Sequence, residues 1–271
     1  MKVRRPVPAA SWSKATREPV AGEAPGLDPS SMADLGPLTL AQDADAAGWV
    51  IERLREFASS VVAVVPSGFE AYARVFHPAR RVEDGGQVAV TWREVAAANG
   101  RAAHRAMQWP GIVGAWRLVH GDRQPGLWDS EPEEGSLPVA IAVDLAAALA
   151  AYTSTPGRCW FAVWEGFGAL AVPPGAAAFN IPQRRMRLLT GPVTAASASL
   201  GLDPFRQSAN LWWPDDHRWC VATEIDLDST YVGGSRACVD AIVAHPSLEA
   251  VAVEPGDGVT WASDKVNPPP G

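Results

Sequence analysis

The stretch NLWWPDDHRWCVATEIDLDSTYVGGS (residues 210–235) has the pattern of a β-hairpin that continues towards a helix. A tight turn is expected at residues 214–217, because proline fixes its own φ angle and aspartate side chains accept hydrogen bonds from nearby backbone amides. The aromatic and β-branched residues on both sides of the turn favour extended backbone. The stretch therefore predicts two antiparallel strands, and with them an antiparallel rather than a parallel sheet.

The remaining sequence mixes strand and helix patterns without an internal repeat. Helical spacing of apolar residues predicts helices at residues 43–58, 91–107, 138–152 and 235–245, and Thr91 with Glu94 forms a capping box at the start of the second. Strands are predicted at residues 61–65, 69–76, 158–167, 179–189 and 248–255. The irregular order of these elements predicts an α+β fold with a mixed, mainly antiparallel sheet and about four packed helices.

Length and composition favour one domain. The chain has 271 residues, of which 47% are hydrophobic, so a sizeable core is available. Residues 1–40 are rich in proline, alanine, serine and glycine without a period, which predicts a disordered N-terminal tail. We therefore expect a single α+β domain at residues 41–264, followed by a short C-terminal tail at residues 265–271.

The charge balance and the cysteines limit the possible environments and partners. A net charge of −7 makes a nucleic-acid partner unlikely. No apolar run is long enough for a transmembrane helix, and the N-terminus lacks the apolar stretch of a signal peptide, so we expect a cytoplasmic protein without a membrane partner. The three cysteines, Cys159, Cys220 and Cys238, have apolar neighbours and predict buried free thiols.

Three acidic residues follow the predicted hairpin. Continued strand alternation would place Glu224, Asp226 and Asp228 on one face, where their like charges need a counter-ion. Because hard cations prefer carboxylate oxygens, one interpretation is a divalent-metal site, with the metal as the possible cofactor. The other interpretation is a solvated strand end that pairs with some of the many arginines.

A glycine pair comes directly before the last predicted helix. Glycines at a helix start allow close approach of a ligand to free backbone amides, so Tyr231, Gly233, Gly234 and Ser235 form a candidate anion site. Ser235 is also a good N-cap residue, which explains its position without a ligand.

Two basic groups are further candidates for anion binding. His77 and Arg80 follow a predicted strand closely enough to recognise a carboxylate or phosphate together, but a strand-ending turn with solvated arginines explains them without a ligand. Arg184, Arg185 and Arg187 could contact phosphate or protect an edge strand by their charge.

The chain contains twelve tryptophans, a large number for its length. Trp160 and Trp164 would share one face of a strand, and together with Trp212 and Trp213 they could line an aromatic groove for a ligand or peptide. The alternative interpretation is an aromatic core between the sheet and the helices.

Three blocks resemble an uncharacterised family of conserved hypothetical proteins from actinobacteria: PSGFEAYARVFHPARR (66–81), TPGRCWFAVWEGFG (155–168) and the stretch quoted first. The resemblance covers roughly residues 45–268. It implies a bacterial cytosolic origin, and it implies no catalytic residues because the family has no assigned activity. A weaker likeness, of architecture alone, is to immunity proteins of the SUKH type, which are α+β binding proteins.

Two functions remain open on this sequence. The first is a non-enzymatic binding protein for a partner protein or small ligand, and it is favoured by the many aromatic residues and by the lack of a Walker A, GxSxG, HExxH or CxxC motif. The alternative is a metal-assisted hydrolase or transferase acting on a phosphate-bearing substrate, with the metal held by Glu224, Asp226 and Asp228.

Overall fold

The computed structural model describes residues 35–57, 59–114, 123–173 and 175–267. The described residues form five α-helices: α1 Gly48–Arg53, α2 Trp92–Ala98, α3 Trp109–Val113, α4 Val139–Ala150 and α5 Arg236–Val243. They also form eleven strands: β1 Thr39–Leu40, β2 Ala71–Phe76, β3 Ala79–Glu83, β4 Gly86–Val90, β5 Cys159–Trp164, β6 Ala178–Ile181, β7 Arg184–Gly191, β8 Leu211–Pro214, β9 Cys220–Ala222, β10 Ser229–Gly234 and β11 Ala250–Val253.

Nine of these strands build one sheet. Its order is β1-β7-β5-β8-β9-β10-β2-β11, with β6 paired to β7, and β3 and β4 form a separate hairpin. Each of these pairings is antiparallel. The predicted α+β class with a mainly antiparallel sheet is therefore confirmed, with five helices rather than about four.

The hairpin predicted from residues 210–235 is present. Strands β8 and β9 pair with Leu211 opposite Ala222 and Trp212 opposite Val221. The turn between them is tied to a neighbouring loop, because the Asp216 carboxylate accepts hydrogen bonds from the Ser154 amide (2.7 Å) and from the Thr153 hydroxyl (2.8 Å).

The centre of the sheet is buried on both faces. Along β8, Trp212 belongs to the core that α4 and α5 cover, and the next residue, Trp213, belongs to the core that α1 covers. Strand β10 alternates in the same way, with Tyr231 on the α1 side and Val232 on the other. Because successive side chains of a strand point to opposite faces, two buried faces require nearly continuous apolar strands.

A third core lies beside the main sheet, under helices α2 and α3. The ring centroid of Trp109 lies 5.4 Å from that of Trp92 and 5.2 Å from that of Trp128. Phe76 of β2 packs against Trp92 and connects the group to the main sheet. The capping box at the start of α2 is confirmed, with the Thr91 side chain bonded to the Glu94 amide and the Glu94 carboxylate returning to the Thr91 amide.

Several predicted boundaries are wrong. The strand expected at residues 61–65 is a 3-10 turn at Val61–Ala63, because the Val61 amide bonds to the carbonyl of Asp257 in a loop instead of joining a sheet ladder. The strand expected at residues 179–189 is divided into β6 and β7 by a turn, in which Gln183 has a positive φ of 59°.

The predicted helix at residues 91–107 also differs from the structure. Helix α2 ends at Ala98, and Gly100 then takes a positive φ of 64°, which a helix interior does not accommodate. The chain continues as a loop and starts the separate helix α3 at Trp109, with Pro110 in its first turn.

The predicted tails fall largely outside the described residues, which leave out 1–34 and 268–271. Within the described part, strand β1 pairs with β7, so ordered pairing begins before residue 41. At the other end, Asn267 is buried, and its side chain bonds to the amide and the carbonyl of Ala102.

The cysteines match the prediction, since Cys159, Cys220 and Cys238 are all free and buried. Among the described helices, none has the length and apolar character needed to span a membrane.

The glycine pair has a packing role. Gly233 and Gly234 lie within β10 and not in a loop before the helix, so the predicted anion site at the glycines is not formed. A Cβ atom on Gly233 would overlap the ring of Phe69, and one on Gly234 would lie 3.2 Å from the sulfur of Cys238. Close approach of neighbouring side chains therefore explains both glycines.

Replacing Gly233 by alanine should lower the free energy of unfolding by about 1–3 kcal/mol, because the Phe69 ring must move out of its packing position. Urea denaturation measures the change. Gly157→Ala is the matched control, because a Cβ atom at Gly157 meets nothing within 4 Å, and it should change stability by less than about 0.5 kcal/mol. Equal stability of the two variants would contradict this account of Gly233.

Candidate functional site

The three acidic residues after the hairpin do not share one strand face. Strand β9 ends at Ala222, and the chain turns back at once, with the Leu227 amide bonded to the Glu224 carbonyl (3.1 Å). The turn is tightened by the Asp226 amide, which donates to the Glu224 carboxylate (2.7 Å). The predicted alternation over Glu224, Asp226 and Asp228 is therefore wrong, because the extended backbone stops before the first of them.

Arg184 neutralises two of these carboxylates. Its guanidinium lies 2.8 Å from the Glu224 carboxylate and 3.3 Å from that of Asp226. The same guanidinium stacks over the rings of Phe57 and Trp164, at 4.6 and 4.9 Å from their centroids. This arrangement agrees with the alternative interpretation of the acidic residues, namely a strand end that pairs with an arginine.

Asp228 faces a different cation, Arg74 of β2. The carboxylate lies 3.9 Å from the Arg74 guanidinium, and the Asp228 side chain is 25% exposed. Burial raises the pKa of the Asp228 carboxyl to about 6, and the nearby Arg74 charge opposes part of this increase.

Arg74 itself is a buried cation with several neutral partners. It is 2% exposed, and its guanidinium donates to the Met107 carbonyl (2.7 Å) and to the Ser229 hydroxyl (3.0 Å). It also lies over the rings of Phe76 and Trp92, at 4.5 and 5.2 Å. Arg74 was not among the predicted site residues, although a single charge inside the apolar strand AYARVF is a signal for it in the sequence.

The metal interpretation finds no support in the positions of these side chains. Within the described ranges, no group of three or more histidine, cysteine, aspartate or glutamate residues is arranged to hold a metal ion. The oxygens of Glu224 and Asp226 that were expected to bind a metal are instead paired with Arg184.

The same turn forms one wall of a cleft of about 510 Å³. Five carboxylates and three aromatic rings are among the side chains that line it. The lining residues are Phe57, Gln108, Trp109, Pro110, Glu131, Pro132, Glu134, Glu224, Asp226, Leu227, Asp228, Val259, Thr260 and Trp261.

Segments that are distant in sequence converge at this cleft. The Gly135 amide bonds to the Leu227 carbonyl (2.9 Å), which ties the segment before α4 to the β9–β10 turn. The Trp109 indole nitrogen, which also lines the cleft, donates to the Glu131 carboxylate (3.2 Å). Trp261 is a further lining residue, and 61% of its surface is exposed.

The cleft carries a surplus of negative charge. The residues that line it include five carboxylates and no lysine, arginine or histidine, and among the described residues Arg184 pairs with Glu224 and Asp226 while Arg74 pairs with Asp228. Glu134 has no ion pair with any residue that the structure describes. A cationic group is the electrostatically complementary ligand for such a surface.

The predicted tryptophan groove is not formed. Trp212 and Trp213 are 1% and 0% exposed and fill the two cores, because adjacent residues of a strand point to opposite faces. Trp160 is half-buried and donates from its indole to the Asp215 carboxylate (2.9 Å), while Trp164 packs on Arg184. The core interpretation of these tryptophans therefore fits better than the groove.

His77 and Arg80 do not form a common anion site. His77 is fully buried, with its ring nitrogens 2.6 Å from the Glu133 carbonyl and 2.9 Å from the Thr230 hydroxyl. Burial lowers the pKa of His77 to about 4, so the ring is neutral at physiological pH. Arg80 lies 3.6 Å from the Glu133 carboxylate with 40% of its side chain exposed.

The remaining members of the predicted anion site have structural roles. Tyr231 is 1% exposed and belongs to the core on the α1 side of the sheet. Ser235 caps α5, because its hydroxyl accepts a hydrogen bond from the Cys238 amide (3.2 Å). The N-cap interpretation of Ser235 is therefore confirmed.

With this geometry established, comparison with known proteins adds no further assignment. The chain matches no protein-family model, no curated protein and no solved structure. The resemblance to actinobacterial proteins thus stays a prediction, and the roles of the cleft residues depend on their own chemistry.

Replacing His77 by glutamine should remove part of the acid sensitivity of the fold. The unfolded chain takes up a proton at His77 below its ordinary pKa of 6.5, whereas the folded chain resists it down to about 4. This histidine therefore contributes stability above pH 6.5 that is lost as the pH falls towards 4. The stability difference between wild type and His77→Gln should be about 3 kcal/mol smaller at pH 4 than at pH 7.

Urea denaturation at both pH values measures this effect. His245→Gln, at a partly exposed histidine, is the control and should keep the acid sensitivity of the wild type. If the free energy of unfolding of His77→Gln falls between pH 7 and pH 4 by as much as that of the wild type, His77 does not cause the loss of stability.

Replacing Arg184 by glutamine should lower the free energy of unfolding by about 2 kcal/mol, because two carboxylates lose their charged hydrogen-bond donor. Chemical denaturation at pH 7 gives the value. Arg185→Gln is the matched control on the same strand. Its side chain is 56% exposed and lies 3.7 Å from Glu165, so its loss should cost less than about 0.5 kcal/mol. An Arg184 effect no larger than the Arg185 effect would refute the structural role of the pair.

Proposed function

We propose that the protein is a non-enzymatic binding protein whose cleft receives a small ligand with a positively charged nitrogen group. The observation that carries this proposal is the combination, in one cleft of about 510 Å³, of surplus carboxylates and aromatic rings. Small-molecule sites commonly have volumes of about 300–1,000 Å³, so the cleft is large enough for such a ligand.

The protein already holds two of its own cations beside this cleft in the same way. Arg184 is enclosed by the Glu224 carboxylate and the ring of Phe57. Arg74 lies between the Asp228 carboxylate and the ring of Phe76. Carboxylate and aromatic ring together stabilise a cation by charge and by the negative face of the ring. A ligand cation would use the same chemistry with the cleft residues that remain accessible.

Trp261 and Glu134 are exposed side chains among the described residues that line the cleft. Trp261 is 61% exposed, whereas Trp109, at 5% exposed, is a buried part of the lining that donates its indole hydrogen to the Glu131 carboxylate. Glu134 is exposed and supplies negative charge to the same space. A cation–π contact contributes about 0.5–2 kcal/mol, and each neighbouring carboxylate adds to it.

Binding is favoured over catalysis by the state of the strongest potential nucleophiles. Burial raises the pKa of Cys159 and of Cys238 to about 12, so both remain thiols at neutral pH. Burial also raises the pKa of Cys220, and none of the three cysteines lines the cleft. Free cysteines also support the cytoplasmic location that we propose.

The alternative function, a metal-assisted hydrolase or transferase, has no specific observation in its favour. Glu224 and Asp226 are engaged by Arg184, and Asp228 lies opposite Arg74.

Calorimetry with choline and with 1,4-diaminobutane tests the proposal, because these probes present a quaternary and a primary ammonium group. We expect both to bind, and we expect N,N′-diacetyl-1,4-diaminobutane, in which both nitrogens are neutral amides, to bind at least tenfold more weakly. Trp261→Ala and Glu134→Gln should each weaken choline binding by about fivefold, since each removes roughly 1 kcal/mol of cation stabilisation.

Glu52→Gln is the control for these variants, because it removes an exposed carboxylate of α1 that does not line the cleft. Its affinity for choline should equal that of the wild type. The proposal fails when neither ammonium probe binds, and also when the acetylated probe binds as tightly as the amine.

A further inference from the structure

We propose that cation binding in the cleft is coupled to the release of a proton from Asp228, so that ligand affinity increases from pH 5 to pH 7.5. This inference rests on the proposed function, because it requires a cation beside the cleft wall. It adds a regulation of that site: the protein would hold its ligand at neutral pH and release it under mildly acidic conditions.

The position of Asp228 differs from that of the other acidic residues in the same turn. Asp226 is 60% exposed, and Glu224 accepts short hydrogen bonds from Arg184. Asp228 is 25% exposed, lies 3.9 Å from its cation and accepts a long hydrogen bond, of 3.4 Å, from the Ser229 hydroxyl, and a hydrogen bond from its own backbone amide also favours the ionised form. Its negative charge is thus partly removed from water without close compensation, and a protonated form is favoured.

The charged and titratable groups around Asp228 come from three elements. Arg74 of β2 favours the ionised form, and Glu134, from the segment before α4, disfavours it. Tyr231 of β10 is buried, and its raised pKa keeps the phenol neutral over this range. Burial is the largest effect on Asp228, and together with Glu134 it raises the pKa of the carboxyl to about 6.

The direction of the coupling follows from these charges. Without a bound ligand, the Asp228 carboxyl is mostly protonated at pH 5. A ligand cation stabilises the carboxylate and lowers the pKa of Asp228, so binding expels the proton. Because only about a tenth of the carboxyl is ionised one pH unit below a pKa of about 6, affinity at pH 5 should be about tenfold lower than at pH 7.5.

Choline is the appropriate probe, because its quaternary ammonium group cannot titrate and any pH effect belongs to the protein. Calorimetric titrations at pH 5, 6 and 7.5 should show the tenfold increase in affinity. Repeating the pH 5 titration in two buffers of different ionisation enthalpy should show release of close to one proton for each choline bound.

Asp228→Asn should bind choline with an affinity that no longer changes between pH 5 and pH 7.5. Asp226→Asn is the matched control, because it makes the same chemical change two residues away on the same cleft wall, and it should keep the pH dependence of the wild type. If Asp228→Asn does not fold, the proton count of the wild type decides the question without it.

The possible failures are distinguishable. Equal choline affinity at pH 5 and pH 7.5, or the absence of proton release, would overturn the coupling and leave the binding proposal intact. A pH dependence that persists in folded Asp228→Asn would assign the proton to another group and would also overturn the coupling. No binding of choline or of 1,4-diaminobutane at any pH would overturn both proposals. If 1,4-diaminobutane alone binds, the same titrations with that diamine, whose amines stay protonated from pH 5 to pH 7.5, decide the coupling.

Discussion

Burial of the central sheet on both faces is the constraint on which the rest of this structure depends. Strands β2, β8, β9 and β10 have no face that is open to solvent, so any polar group on them must be satisfied inside the protein or lie at a strand end. Thr223 and Thr230 meet this requirement by bonding to each other across a distance of 2.7 Å, and Thr230 also contacts the buried His77 ring. Ionic groups therefore collect where the strands end, and the cleft lies at such an end.

Arg74 connects this constraint to the proposed site. It is the one charged residue within β2, and its guanidinium reaches the level of the β9–β10 turn, where it meets Asp228. A buried cation with one distant carboxylate is held mainly by carbonyl groups and aromatic rings. Two further partners of Arg74, Asp228 and Gln108, also line the cleft. Core stability and ligand chemistry are consequently linked through the same side chains.

The sequence predicted the features that depend on local chemistry. The hairpin at residues 214–217 follows from proline and aspartate, the capping box follows from Thr91 and Glu94, and the cap of α5 follows from Ser235. Each of these needs only neighbours within a few residues.

The features that were predicted wrongly depend on tertiary contacts. Strand β9 ends early, at Ala222, and Glu224 pairs instead with Arg184 of β7, a contact between residues 40 positions apart. The cleft combines residues near positions 57, 109, 131, 226 and 261, and no local pattern connects these segments. The groove of Trp212 and Trp213 was the avoidable error, because two adjacent residues of one strand cannot line the same face.

The pairing of β2 also has a consequence for synthesis on the ribosome. This strand is completed by residue 76, but its two partners, β10 and β11, are at residues 229–253. More than half of the chain must therefore be translated before either edge of β2 can be covered. During that interval this apolar strand, with its single positive charge, lacks the neighbouring strands that hydrogen-bond to it. Exposed segments of this kind associate with other chains or are shielded by chaperones. The nascent chain thus depends on its last quarter to protect a strand made in its first third.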